Sequence, residues 1–322
     1  MRMLAGLAIA AVIVVALFGG VLAFGTGKAP PPLESLSQPF RDHSADFRDI
    51  PPAQTLRARD GTALAYRLLS PASGAPERVV ILIHGATASG ASMHPLAKTL
   101  AASGMAVYSL DIRGHGDSGR RGDLDYPTQL DDDLADVVAF IRTRHPATPL
   151  ALAGFSAGGG FALHLAASPL GKSFERVVLI SPMLGYRAPT ARPVDKPLLT
   201  VFVPRLIAIS LLNGVGIHAF DHLQTLAFGD PGRPELTFHY SFLLMNGFAT
   251  RDYAADVRAA QAPLSVVVGA DDQFFYAERY APMLDAVKPG IPVTVVPGLA
   301  HIPVTLEPAG IAAIARALRG QV

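Results

Sequence analysis

The chain has 322 residues, 50% of them hydrophobic, and its 27 basic and 26 acidic residues nearly cancel. This length and composition allow a large buried core and one or two domains. The balanced charge argues against nucleic acid as a partner. The absence of cysteine excludes disulfides, thiolate metal sites and a cysteine nucleophile.

An uncharged apolar segment lies near the N-terminus, from Met3 to Gly25, and Arg2 precedes it. At a rise of about 1.5 Å per residue, such a segment can cross a hydrocarbon core of about 30 Å. We therefore expect residues 1–27 to be a membrane anchor. A cleaved secretory signal is the alternative, because Val21-Leu22-Ala23 offers small residues to signal peptidase. In both cases the positive end stays in the cytoplasm and the rest of the chain is exported.

Three consecutive prolines, Pro30 to Pro32, mark the next segment. Proline favours extended backbone, and we predict a stiff linker over residues 28–53. The folded domain is expected to start near Gln54, because Asp60-Gly61 between two short apolar stretches indicates a β-hairpin.

Short apolar strands then alternate with helical segments. The pattern predicts strands over 79–83, 106–110, 150–153, 177–180, 264–268 and 293–296, and helices over 89–103, 128–144 and 307–319. Such alternation is typical of a mostly parallel sheet with helices on both faces, and therefore of an α/β fold.

The alternation stops between Pro182 and about Ala262. This stretch is rich in proline, contains helical apolar segments such as Leu198 to Leu212, and shows no clean strand. We predict that residues 182–262 form a helical cap, in which Leu198 to Leu212 is a lid helix. The cap is inserted into a sheet domain made of residues 54–181 and 263–322.

The segment from Leu150 to Ala166 contains the strongest functional motif. Its centre, Gly154-Phe155-Ser156-Ala157-Gly158, has the G-x-S-x-G pattern of a nucleophile elbow, between a predicted strand and a predicted helix. A turn this tight strains the serine backbone and needs glycine where other chain passes close. We therefore predict that Ser156 is a nucleophile. The following helix directs its N–H groups towards the developing negative charge.

Partners for Ser156 are expected at the carboxyl ends of the strands. The last two predicted strands are followed by Asp271-Asp272 and by His301, which gives the chain order serine, acid, histidine. His301 would take the serine proton, and one of the two aspartates would hold its other ring nitrogen. Adjacent aspartates point in different directions, so only one of them can reach His301.

An oxyanion hole in this architecture uses two backbone N–H groups. One belongs to the residue after the nucleophile, Ala157. The other comes from the loop after an early strand, where His84-Gly85-Ala86 stands, and we predict that it is the N–H of Ala86.

These motifs together resemble the serine α/β hydrolases, and most closely the branch of monoacylglycerol lipases, lysophospholipases and serine aminopeptidases. The resemblance runs from about Gln54 to Val322 and includes the D-x-R-G-H-G-x-S loop at Asp111 to Ser118. It implies an eight-stranded fold, a helical cap, and neither metal nor cofactor. The family's G-x-x-D spacing from Gly269 selects Asp272 as the acid. Arg113 and His115 are expected to be structural.

The expected function is hydrolysis of carboxylic esters, with lipid-like substrates such as monoacylglycerols or lysophospholipids. A small-ester esterase and a non-catalytic binding protein on the same fold are alternatives. A serine aminopeptidase is another, and it would need an acid in the cap to hold the substrate ammonium group. A metal on His218 and His222 is disfavoured, because no glutamate follows His218 as a zinc protease requires. The candidate ammonium-binding acids are Asp195, Asp221, Asp230 and Glu235.

Overall fold

A computed structural model describes residues 16–193, 197–230 and 232–321. Within these ranges the strands are β1 (Gln54–Arg57), β2 (Ala63–Leu69), β3 (Arg78–Ile83), β4 (Met105–Leu110), β5 (Leu150–Phe155), β6 (Arg176–Ile180), β7 (Leu199–Val201), β8 (Gln224–Phe228), β9 (His239–Ser241), β10 (Leu264–Gly269) and β11 (Val293–Val296). Besides a helical segment at residues 16–24, the helices are α1 (Glu34–Asp42), α2 (His94–Ala102), α3 (Gln129–Arg144), α4 (Ala157–Ala167), α5 (Val203–Gly214), α6 (Phe242–Gly247), α7 (Tyr253–Ala259), α8 (Tyr280–Asp285) and α9 (Pro308–Arg319).

The central sheet has eight strands in the order β1-β2-β4-β3-β5-β6-β10-β11. Strand β2 pairs antiparallel with both of its neighbours, and every other pairing is parallel. The predicted mostly parallel sheet is thus confirmed. Its central strands are continuous apolar runs, as expected when both faces of a sheet are covered.

Helices cover both faces of this sheet. On one face, side chains such as Ile81 pack against α3 and α4, for example against Leu134 and Phe161. On the other face, Leu82 and its neighbours pack against α2 and α9. Because β3, β5, β6 and β10 run parallel, their carboxyl ends lie at one edge of the sheet.

The predicted linker is wrong in part, because residues after the three prolines are not extended. Helix α1 and a 3₁₀ turn at Ser44–Phe47 occupy that stretch. Leu36, Phe40 and Phe47 pack against the apolar layer that contains α2 and α9. Burial of these three side chains stabilises the helix. The prolines before it do not require the residues that follow them to be extended.

The cap is not entirely helical, and the prediction that it lacks strands is wrong. Strands β7, β8 and β9 form a three-stranded antiparallel sheet. Two of them are only three residues long, too short for an alternating pattern to be recognised. The predicted lid helix over Leu198 to Leu212 therefore divides into β7 and α5.

Residues 16–24 are helical and pack against α5 of the cap. Leu22 is buried with Ala208 and Ile209. The Arg205 guanidinium donates one hydrogen bond to the carbonyl of Ala23 at 3.2 Å and another to the carbonyl of Gln224 at 2.9 Å. The N-terminal helix is thus attached to the cap.

The predicted membrane anchor lies only partly within the part of the chain that the structure describes. Residues 1–15 are outside it. Among the described residues, no helix combines the length and apolarity needed to span a bilayer.

Candidate active site

Ser156 lies at the sharp turn between β5 and α4, as the motif predicts. Its backbone has φ 54° and ψ −116°, a conformation that residues with side chains rarely adopt. A Cβ atom at Gly154 would collide with the carbonyl of Gly158, and one at Gly158 would collide with the carbonyl of His84. The two glycines therefore permit the close approach that holds the serine in its strained position.

The structure brings Ser156, His301 and Asp272 together from three separate loops. The Nε2 atom of His301 is 3.0 Å from Ser156 Oγ, and its Nδ1 atom is 2.8 Å from Asp272 Oδ2. These distances are hydrogen bonds in the order serine, histidine, aspartate. Such a path can move a proton off the serine hydroxyl and stabilise the imidazolium that results.

The surroundings of Asp272 fix both of its carboxylate oxygens. While Oδ2 faces His301, Oδ1 accepts hydrogen bonds from the backbone N–H groups of Phe274 at 2.9 Å and Phe275 at 3.0 Å. The neighbouring Asp271 is exposed. The adjacent aspartates thus lie in opposite environments, and Asp272 is the one that reaches the histidine.

Aromatic rings surround the histidine. Phe155, Phe274 and Phe275 have ring centroids 4.8, 5.1 and 5.3 Å from that of His301. The imidazole is almost fully buried, whereas Ser156 is partly exposed. This arrangement keeps water from the ion pair that forms during proton transfer and leaves the nucleophile accessible.

Both predicted oxyanion-hole residues lie beside Ser156. Ala157 is the first residue of α4, where a helix leaves its N–H groups without intrahelical acceptors. Gly85, next to Ala86, packs so closely that a Cβ atom there would be 3.3 Å from Ser156 Cβ. The loop after β3 and the start of α4 therefore flank the nucleophile.

The loop that carries Arg113 is held in place by buried ionic and hydrogen-bond contacts. The Arg113 guanidinium is buried and donates two hydrogen bonds of 2.7 Å to the Asp133 carboxylate. Burial raises the pKa of Asp133 despite this ion pair. The Asp111 carboxylate accepts hydrogen bonds from Gly90 N–H and Asp117 N–H. The buried ion pair between Arg113 and Asp133 agrees with the structural role expected of Arg113.

Two buried histidines, His84 at the start of the loop after β3 and His115 in the loop after β4, have ring centroids 4.9 Å apart. Burial lowers the pKa of His84, and burial together with His84 holds the pKa of His115 well below its usual range. Both shifts favour the neutral form of the ring. His84 Nδ1–H donates to the carbonyl of Gly85 at 2.7 Å, and its Nε2 accepts from Ile112 N–H at 3.2 Å.

The histidine pair that was disfavoured as a metal site, His218 and His222, does not lie on a helix. His218 and His222 follow the end of α5 rather than sharing a helix face. His218 Nδ1 is 3.2 Å from Asp221, and His222 Nδ1 is 3.0 Å from Asp123. Each imidazole thus has its own carboxylate partner.

The acids considered for an aminopeptidase have local partners where the structure describes them, and Asp195 lies outside the described residues. Asp221 is buried and accepts hydrogen bonds from Asn213 and His218. Asp230 accepts from Gly232 N–H, and Glu235 pairs with Arg233. These carboxylates are occupied by neighbouring groups.

The fold and the arrangement around Ser156 define an α/β hydrolase. The model of the family described as serine aminopeptidase, S33, matches residues 74–308. The chain belongs to this family, which confirms the resemblance inferred from its motifs.

Known proteins similar to this chain include lipases. A monoacylglycerol lipase of Mycolicibacterium smegmatis is 32% identical over 123 residues, a stretch that covers 38% of this chain and 43% of the relative. A monoglyceride lipase from Saccharomyces cerevisiae, solved as a soluble variant with a substrate analogue, superposes with a TM-score of 0.61 at 17% identity, over 85% of this chain and 96% of that chain. A bacterial membrane phospholipase A superposes with a TM-score of 0.57 at 17% identity, over 99% of this chain and 98% of that chain. At these identities the two structures show a shared fold.

Proposed function

We propose that the protein hydrolyses carboxylic esters through an acyl-enzyme on Ser156. The observation that carries the proposal is the hydrogen-bond path from buried Asp272 through His301 to the Ser156 hydroxyl. A serine hydroxyl is a weak nucleophile until a base removes its proton, and this path supplies the base.

The reaction follows from these positions. His301 Nε2 takes the proton while Ser156 Oγ attacks the ester carbonyl carbon, and the N–H groups of Ala86 and Ala157 stabilise the oxyanion. His301 then gives the proton to the leaving alcohol, and the acyl group stays on Ser156. Water, deprotonated by the same imidazole, releases the acid and restores the serine. Asp272 accepts a hydrogen bond from His301 Nδ1–H throughout, so that Nε2 keeps facing Ser156.

The proposed substrates are lipid-like esters, monoacylglycerols or lysophospholipids. Sequence similarity to a monoacylglycerol lipase supports this class. Apolar side chains of the cap support it too, because Val203, Ile207 and Leu211 are at least half exposed on one face of α5. An exposed apolar face of this kind favours an apolar ligand or a lipid surface.

We expect p-nitrophenyl octanoate and decanoate to be hydrolysed with a higher kcat/KM than the acetate. Each methylene buried in an apolar site contributes about 0.8 kcal/mol, or roughly fourfold in kcat/KM, until the site is full. Initial rates below the aggregation limit of each ester measure this, and the Ser156→Ala variant serves as the blank. If acetate and butyrate are the better substrates, the protein is a small-ester esterase.

An aminopeptidase is disfavoured by the local partners of Asp221, Asp230 and Glu235. Amino-acid p-nitroanilides with free amino groups, assayed beside the esters, test this alternative. We expect ester hydrolysis to exceed anilide hydrolysis at equal concentration. Faster cleavage of a p-nitroanilide would assign the site to peptide substrates.

We further propose that the N-terminal segment holds the catalytic domain at the outer face of a membrane. Arg2 and the uncharged run that follows support this topology. Leu17 and Phe24 of the N-terminal helix are exposed, although this helix packs on the cap through Leu22. An apolar face left open on a helix attached to the cap suits contact with lipid.

A single cysteine tests this topology, since the chain has none of its own. Ser70 is exposed at the end of β2, and we expect Ser70→Cys to react with a membrane-impermeant maleimide in intact cells. Labelling after lysis measures the total amount of protein. Reaction only after lysis would place the catalytic domain inside the cell.

A further inference from the structure

Thr87, the residue after Ala86, has an unusual backbone conformation. Its φ of 63° lies in the left-handed region, which is costly for a β-branched residue. Such a conformation persists only where surrounding contacts hold it. Its position beside a predicted oxyanion donor makes these contacts relevant to catalysis.

The contacts come from the cap. Thr87 N–H donates to the hydroxyl of Tyr240 at 2.9 Å, and the Thr87 carbonyl accepts from Thr237 N–H at 2.9 Å. Tyr240 lies on β9, and both cap side chains are buried. Both backbone polar groups of Thr87 are therefore fixed by the cap strand and the residues just before it.

The Tyr240 hydroxyl has a second partner in the core. It donates to His115 Nε2 at 2.6 Å, while His115 Nδ1 faces the carbonyl of Arg113 at 3.4 Å. Burial raises the pKa of Tyr240, so the phenol keeps the proton that it donates. A neutral His115, with its proton on Nδ1, accepts that bond. The hydroxyl thus links the loop after β3 to the loop after β4.

We propose, on the basis of the function above, that Tyr240 is a positioning residue for the oxyanion hole. Its hydroxyl fixes the peptide that joins Ala86 to Thr87. Because the preceding peptide plane, which carries Ala86 N–H, shares the Ala86 Cα atom, this bond limits the directions open to Ala86 N–H. Through Tyr240 the cap therefore contributes to transition-state stabilisation, although Tyr240 itself does not touch the substrate.

Tyr240→Phe removes the hydroxyl and keeps the ring. We expect kcat to fall about 10- to 100-fold with KM changed less than threefold, because displaced oxyanion donors act mainly in the transition state. An alkyl boronic acid, which forms a tetrahedral anion on serine, should bind more weakly by a similar factor. A non-hydrolysable ether analogue of the ester should bind as it does to the wild type.

Tyr108→Phe is the matched control. Tyr108 lies on β4 and not in the loop that carries Ala86, and it is also buried. Its hydroxyl is 3.0 Å from His145 Nε2. This variant loses a tyrosine–histidine hydrogen bond of the same kind and should keep kcat and boronic-acid affinity within twofold of wild type. Comparison of Tm between the two variants measures the general cost of losing a buried hydroxyl.

Two results would overturn the inference. One is a Tyr240→Phe enzyme with wild-type kcat, and the other is a loss of kcat with unchanged boronic-acid affinity. If Tyr240→Phe does not fold, His115→Gln tests the same link one bond further away, and unchanged boronic-acid affinity there would also overturn it. Failure of the proposed function is distinguishable, because the wild type would then hydrolyse no ester.

Discussion

Ser156→Ala is expected to lower kcat for ester hydrolysis by at least about 10⁴-fold, the scale of loss when a catalytic serine is removed. The substitution deletes only one oxygen, on a turn whose strain is the same for alanine and serine. Folding should therefore be intact. Initial rates at saturating ester, together with thermal unfolding, measure both effects.

Ser181→Ala is a closely matched control for that variant. Ser181 follows β6, also has a left-handed backbone with φ 40°, and is buried; within the described residues, its hydroxyl has no hydrogen-bond partner. We expect this enzyme to retain activity within about threefold. A Ser156→Ala enzyme with more than a tenth of wild-type activity would exclude the acyl-enzyme mechanism. A fluorophosphonate should label the wild type and Ser181→Ala, but not Ser156→Ala.

The central sheet and the grouping of Ser156, Asp272 and His301 could be predicted because their signals are local. Each strand is a short apolar run, and the elbow motif fixes a turn within five residues. The carboxyl ends of parallel strands meet at one edge, so chain order alone brings distant loops together. The structure placed Ser156 and His301 within hydrogen-bond distance across 145 residues.

The cap could not be predicted in the same way. Strands β7 and β9 are short, and their residues pair across a small sheet rather than following a local period. The hydrogen bond between Thr87 and Tyr240 joins residues 153 positions apart, and neither lies in a recognised motif. The left-handed backbone of Thr87, where glycine would be preferred, would signal this contact. A threonine in the sequence does not by itself reveal that backbone conformation.

The start of α4 agrees with the helix expected directly after Ser156, although Gly158 to Gly160 disfavour helical backbone. In the structure α4 begins at Ala157. Glycine is tolerated there because this turn lies between tightly packed neighbours: a Cβ at Gly160 would collide with the carbonyl of Met183. Close packing thus outweighs local propensity.

The second large effect is expected from Asp272→Asn, which should lower kcat by about 10⁴-fold, whereas Asp271→Asn should change it less than threefold. In the wild type, Oδ1 of Asp272 accepts from the N–H groups of Phe274 and Phe275, and Oδ2 accepts from His301 Nδ1–H.

An asparagine at position 272 keeps its oxygen on those two backbone N–H groups and turns its NH₂ group towards Nδ1 of His301. The imidazole must then carry its proton on Nε2, where it can no longer accept the proton of Ser156. Asp271 is exposed, so its loss leaves this arrangement intact. Steady-state kinetics of the two variants decide the assignment, and severe damage from Asp271→Asn with a mild effect of Asp272→Asn would reverse it.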